Sequence, residues 1–252
     1  MTTPATSTAH DMPMVVYPGY LAGPGGRHTE FDALWAFTKG REDWSLSADD
    51  GLVAEHESGA AGIELDLDEE PWDKQRWKIF TTDVTNYSRA AFDARTPAEV
   101  VMASARHLAH LLDQPTDAER AQQLWSHDAH ADTTEALRAE ATRANWSPCC
   151  PHGCVFTAPT GTASLHLRNT DNDPVPGRVA YVLRAGAPGR EEDWWTAEFS
   201  LTVPTSVILA ALRTVTDPGR YTRRASQIPM AHRAFLRTHP VARRGSEAAR
   251  GR

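Results

Sequence analysis

Three cysteines and a histidine crowd into one octapeptide, Ser147-Pro-Cys-Cys-Pro-His-Gly-Cys154, and no other cysteine occurs in the 252 residues. Thiolate and imidazole are the usual ligands of a tetrahedral zinc ion, so Cys149, Cys150, His152 and Cys154 form a candidate metal set. Two features weigh against it. Adjacent cysteines are awkward ligands for one tetrahedral ion, and no second Cys or His pair stands at zinc-finger spacing. The expectation is a decorated turn with neither metal nor cofactor, Cys154 pointing into a sheet as a small hydrophobe. A metal-dependent enzyme centred on Cys149–Cys154 is the third functional reading.

The other chemistry-bearing clusters are weaker. His107 and His110 sit on a helical stretch where each residue turns about 100°, which sends both away from Val101, Ala105 and Leu108 and into solvent. His127 and His130 precede Asp132, but no third ligand accompanies them. Gly23-Pro-Gly-Gly-Arg-His-Thr-Glu30 is a glycine-rich turn opening a helix, a place where backbone N–H groups can hold an anion. It lacks the Gly-Lys-Ser/Thr ending and the dinucleotide spacing, so it is expected to set the helix direction instead. The acidic stretches 66–74 and 171–174 lack the glycine and terminal glutamate of a calcium loop and are expected to be hairpin tips. No nucleophile elbow, zinc-protease, kinase or deaminase signature is present, which favours a non-enzymatic protein.

The elements that must position these groups are written twice. Trp44-Ser45 matches Trp146-Ser147 at an offset of 102, which also pairs Ile63 with Leu165, Leu65 with Leu167 and Arg76 with Arg178. The offset then becomes 107, pairing Ala90 with Ala197, Phe92 with Phe199 and Val101 with Ile208. A single insertion in Gly186–Asp193 accounts for the change. Each copy begins with a helix: Thr29–Thr38 with an inward stripe of Phe31, Leu34, Trp35 and Thr38, and Asp132–Asn145 with Asp132 as N-cap. Short alternating runs follow, separated by Gly, Asp and Pro turns, which argue for an antiparallel meander. Thr96-Pro97-Ala98-Glu99 reads as a capping box opening a closing helix. Val203 replaces the capping threonine in the second copy, which predicts a start weaker by about 1 kcal/mol. The fold class is α+β: two tandem copies of a helix, antiparallel β-meander, helix unit.

The motifs Tyr20-Leu-Ala-Gly-Pro-Gly25 and Trp195–Leu212, with the Trp-led strands at Trp44 and Trp146, resemble the SPDY-domain family of filamentous actinobacteria. That resemblance covers roughly residues 14–218 and implies two copies of a domain of unknown function, with no activity. It divides the chain into a disordered segment 1–13, copies at 14–115 and 116–218, and an Arg-rich C-terminal tail at 219–252. The family's Ser-Pro-Asp turn is altered in both copies, to Ser47-Ala48-Asp49 and Ser147-Pro148-Cys149.

Charge is distributed unevenly. The net charge is −7, yet residues 219–252 hold nine Arg and one Glu, a balance of +8 that leaves −15 for residues 1–218. Arg220, Arg223, Arg224, Arg233, Arg237, Arg243 and Arg244 are therefore candidate nucleic-acid contacts. Recurring tryptophans belong to the core, whereas the unmatched Trp72 and Trp194 are candidate partner contacts. No apolar run approaches the ~20 residues of a membrane span, the N-terminal stretch is unlike a secretory signal, and the clustered cysteines suit a reducing cytoplasm. The leading expectation is a non-enzymatic cytoplasmic binding or adaptor protein with a protein partner. The alternative is a DNA-associated accessory factor, of a mobile element for example, anchored by the tail.

Overall fold

The structure, a computed structural model, describes residues 12–48, 51–67, 75–83, 86–125, 132–149, 154–167 and 178–241. Among them the chain is α+β. The first meander comprises β2 (Trp44–Ser47), β3 (Leu52–His56), β4 (Ala61–Leu65), β5 (Gln75–Thr82) and β6 (Tyr87–Asp93). It is preceded by β1 (Pro13–Tyr17) and α1 (Arg27–Lys39) and closed by α2 (Ala98–Leu112). After α3 (Asp117–Trp125) and α4 (Thr133–Arg143), the second meander runs through β7 (Ser147–Pro148), β8 (Val155–Thr157), β9 (Ala163–Leu167), β10 (Val179–Ala185) and β11 (Trp195–Ser200) to α5 (Thr205–Thr216).

The meanders join edge to edge. The sheet order is β2-β3-β4-β5-β6-β11-β10-β9-β8-β7, ten antiparallel strands whose order reads the same from either edge. At the joint Ala90 pairs with Phe199 and Phe92 with Ala197, so residues aligned by the 107 offset exchange partners symmetrically. The Phe92 and Phe199 rings meet edge to face at 5.7 Å, both fully buried. Trp44 opens β2 and Trp146 immediately precedes β7, and both are buried. One hydrophobic core underlies all ten strands on the side where α1, α2, α4 and α5 pack, and Leu34, Val101, Leu137 and Ile208 share it.

The register corrects the sequence alignment. Ile63 faces Ile79 while Leu165 faces Leu183, so the offset is already 104 on β5 and β10. Arg76 therefore corresponds to Ala180, not Arg178. The extra residues lie in two hairpin loops, because loops absorb insertions that a paired ladder cannot.

Two helix expectations also change. On α1 the buried residues are Glu30, Leu34, Phe37 and Thr38, whereas Phe31 and Trp35 are 38% and 50% exposed and stack on each other. The helix is turned by about one residue because Glu30 reaches inward to Arg76. At α2 the capping box is absent. The Thr96 hydroxyl donates to Asp93 Oδ1 (3.0 Å), Glu99 binds Arg223, and Pro97 itself holds the N-cap position. Pro204 does the same for α5, so the expected difference in helix start has lost its cause.

Residues 219–241 are not a loose tail. β12 (Tyr221–Arg224) and β13 (Arg237–Pro240) flank β1 in a second, three-stranded antiparallel sheet. Its apolar core is small, Val16, Ala22 and Ile228. Among the described residues no helix is long and apolar enough to cross a membrane.

Candidate functional site

The cysteine turn does not bring a ligand set together among the described residues. Cys149 is exposed and free, while Cys154 is disulfide-bonded, which corrects its expected role as a buried thiol and removes it as a thiolate ligand. Cys150 and His152 lie outside the described residues, as do His127 and His130. No group of three or more His, Cys, Asp or Glu among the described residues is placed to hold a metal ion. His107 and His110 are exposed on α2, as their helical phase predicts.

Two serine–histidine hydrogen bonds escaped the sequence reading, since neither carries a motif. His56 Nδ1 lies 2.7 Å from Ser58 Oγ and its Nε2 lies 3.3 Å from Asp43 Oδ2, a Ser–His–Asp chain like that of a hydrolytic triad but with the two ring nitrogens exchanged. The local N–H groups are spent, however. Ser58 N–H donates to His56 Nδ1, Gly59 N–H to the His56 carbonyl and Ala60 N–H to Ser58 Oγ. No oxyanion donor remains in the turn, and the trio staples the β3–β4 hairpin. Ser164 Oγ lies 3.0 Å from His166 Nε2 on β9, a strand paired on both sides by β8 and β10, so its backbone donors are likewise committed.

The buried carboxylates are occupied structurally. Arg76 Nε donates to both oxygens of Glu30 at 3.1 Å; burial nevertheless holds Glu30 above the usual carboxylate range, outweighing the guanidinium. Asp93, at the end of β6, accepts from the Thr196 N–H across the joint (2.7 Å) and from the Arg95 N–H and Thr96 hydroxyl. Burial pushes it up to about 6. The matching bond on the other side runs from the Arg89 N–H to Ser200 Oγ (3.0 Å). Glu140 is held low, chiefly by its hydrogen bonds from Arg143, and also accepts from Thr216.

The glycine-rich turn is a dock rather than an open anion site. Its carbonyls face the C-terminal segment: Arg223 donates to Gly23 O through Nε (3.1 Å) and Nη2 (3.0 Å), and Gln227 donates to Gly25 O. A Cβ on Gly23 would stand 2.9 Å from Pro229, and the positive φ of 77° suits glycine besides. Arg223 also grips Glu99 through two bonds of 2.7 and 2.6 Å and is almost wholly buried. It is thus no nucleic-acid contact, a correction with a clear cause: a guanidinium with five donors found a carboxylate and a carbonyl. Arg233 is exposed and spans the Ala225 and Ile228 carbonyls. Arg220, Arg224 and Arg237 are exposed, and Arg243 and Arg244 lie outside the described residues. On the outward face of the terminal sheet, Thr222 and His239 flank Val15 while Arg237 pairs with Tyr17.

Trp194 is also corrected. It is buried, with Nε1 donating to Ala187 O at 2.7 Å and Arg184 over its ring, so it presents no contact surface. Trp72 lies outside the described residues.

The broad feature is the sheet face opposite the helices. One row crosses it partner by partner: Val53, Glu64, Lys78, Ala91, Glu198, Val182, His166 and Val155. Ala91 and Val182 are buried yet belong to neither hydrophobic cluster, forming an apolar floor among charged neighbours. A hollow of about 450 Å³ opens there, lined by Val155, His166, Val182, Arg184, Thr196 and Glu198. The Arg89 Nε on this face is enclosed without a hydrogen-bond partner. No family model, curated protein or solved structure matches the chain.

Proposed function

We propose that the chain is a non-enzymatic binding or adaptor protein: two copies of one SPDY-like unit, fused so that their sheets form a single recognition face. The observation that carries this reading is the β6–β11 joint, which extends the helix-free face to ten strands, about 45 Å at the usual strand spacing. Neither unit alone has that reach. The face mixes Glu55, Glu64 and Glu198 with Lys78, Arg89 and Arg184 around Phe80 and the Ala91–Val182 floor. Balanced charge over an apolar centre suits a protein partner better than a polyanion. This reading keeps the protein in the cytoplasm, where the Cys154 disulfide would have to persist against reduction.

The test places a bulky charge on the floor, Ala91→Arg and Val182→Arg, and compares capture from native cells with the unaltered chain. Partners lost from both variants, with hydrogen-exchange protection on β5, β6, β9, β10 and β11 in the complex, are the expected result. Retained partners, or protection confined to the helical side, would overturn the reading.

A second reading has its own observation. The outward face of the terminal sheet combines exposed Tyr17 with Arg224, Arg237 and His239, and residues 219–241 contain no acidic side chain. That composition fits phosphodiester contact by a DNA-associated factor. Binding of a duplex oligonucleotide should then weaken steeply with salt, and Arg224→Ala with Arg237→Ala should flatten the log–log slope by about 2. Salt-independent or absent binding would remove it.

A further inference from the structure

On the helical side, α2 and α5 pack against each other, with the Ser104 hydroxyl donating to Val207 O at 2.9 Å. Above that contact lies an open groove of about 590 Å³. Its walls are matching residues of the two helices: Ala103 and Arg106 from α2, Ala210 and Arg213 from α5, each pair at the same offset of 107 that relates Phe92 to Phe199. His107 and Thr214 form a third matched pair. Arg143 at the end of α4 and Tyr221 on β12 close the sides.

The charges do not cancel. Glu99 also lines the groove but is gripped by Arg223, and Glu140 beneath it is shared by Arg143 and Arg213. Arg213 is the looser of that pair, at 3.6 Å against 2.5 Å for Arg143. Asp217 remains at one end. Arg106 has neither ion pair nor hydrogen bond among the described residues. His107 is held below its ordinary range, first by partial burial and then by Arg213 and His110. Of the matched pair of guanidinium groups over the alanine floor, Arg106 therefore lacks a counter-anion and Arg213 has only a share of one. The cavity falls within the range of small-molecule sites.

We propose that this groove binds the phosphoryl group of a small molecule, the dianion held between Arg106 and Arg213 and the organic part lying on Ala103 and Ala210. Guanidinium forks bind phosphate oxygens in pairs, and two of them match a double charge. This goes beyond the proposed function, because the groove is on the opposite side of the molecule from the sheet face and its variants leave that face intact.

The test is a titration of the full chain with inorganic phosphate, AMP and succinate, each at constant ionic strength, read by calorimetry and by the NMR titration of His107. Arg213 on α5 and His110 on α2 act on that ring, and Arg106 on α2, Arg143 on α4, Asp217 just past α5 and Tyr221 on β12 line the same groove. Phosphate and AMP should bind saturably and move the His107 midpoint upward, since a bound dianion favours imidazolium. Tighter binding of AMP than of phosphate assigns the site to a phosphorylated molecule, and equal binding assigns it to free phosphate. The double variant Arg106→Ala, Arg213→Ala should weaken binding tenfold or more. Arg213 also contacts Glu140, so Arg106→Gln, which breaks no ion pair, should lower affinity with unchanged melting temperature. Non-saturable binding, equal affinity in the Arg106→Gln chain, an unmoved His107, or succinate binding as tightly as phosphate would each overturn the proposal.

Discussion

The two halves of the ten-stranded sheet share a backbone plan and solve its polar problems differently. The first half buries charge: Glu30 with Arg76 beneath α1, Asp93 at the joint, and His56 with Asp43 at the outer hairpin. The second half uses neutral groups at the corresponding places. Thr133, which matches Glu30 at the offset of 103 that pairs the buried Leu34 and Leu137, meets the Thr205 hydroxyl; Ser200 stands for Asp93, and Ala158 stands for His56. Apolar rows are kept on both sides: Leu34 with Leu137, Ile63 with Leu165, Phe92 with Phe199. Burial is what makes the architecture; the polar side chains only need to satisfy one another, and several sets can do so.

The comparison breaks most visibly at the joint. Phe92→Ala and Phe199→Ala should each cost about 3–5 kcal/mol in urea unfolding, with a coupling of about 0.5–1.5 kcal/mol in the double variant. Because one core underlies both halves, calorimetry should show a single transition. Two separate transitions would mean that the halves are independent bodies.

Next comes the contrast beneath the first helices. Glu30→Ala strands the Arg76 guanidinium in the interior and should cost about 3–5 kcal/mol, whereas Thr133→Ala at the matching place should cost about 1 kcal/mol. Similar losses at the two sites would show that the buried ion pair is not what distinguishes the halves.

The smallest effect is a difference in acid response. Asp93 titrates near 6 in the folded protein against 3.8 unfolded, so the native state holds its proton more firmly. Its contribution is fully present below pH 3.8 and is lost as pH rises through 6. Glu140 is shifted downward, so its contribution is present above pH 4.5 and lost on further acidification. Between pH 7.5 and 5 Asp93 and Glu30 should therefore raise the melting temperature against an opposing loss from His107 and His232, both shifted downward by burial, and further acidification should lower it. Asp93→Asn should remove part of the rise and Asp93→Asn with Glu30→Gln the rest, since Glu30 is shifted in the same direction. An unchanged rise in the double variant would assign it to other groups.

Periodicity and turn residues made the α+β units and both strand sets legible in the sequence, and the alternation of Ile63, Leu65 and Phe92 marks inward positions that are buried. The rest depended on partners far away in sequence. Glu30 reads as a solvent-facing residue until Arg76, 46 positions on, is known to lie beneath it. Arg223 looks like its neighbours in an Arg-rich stretch, and its carboxylate is 124 residues upstream. Trp194 has no local sign of burial. The Arg106–Arg213 pair was visible at the offset of 107, but exposed arginines on amphipathic helices are ordinary until two helices bring them to one groove.

The small sheet has a consequence for biosynthesis. Its central strand is made well before its neighbours, since both flanking strands come from residues 221–240. Roughly 200 residues must be translated in between, which takes about 10–40 s at ordinary elongation rates. Through that interval Met14, Val15 and Val16 have no sheet to join, so a nascent chain would be open to chaperones or stray strand pairing along β1 until β12 and β13 emerge.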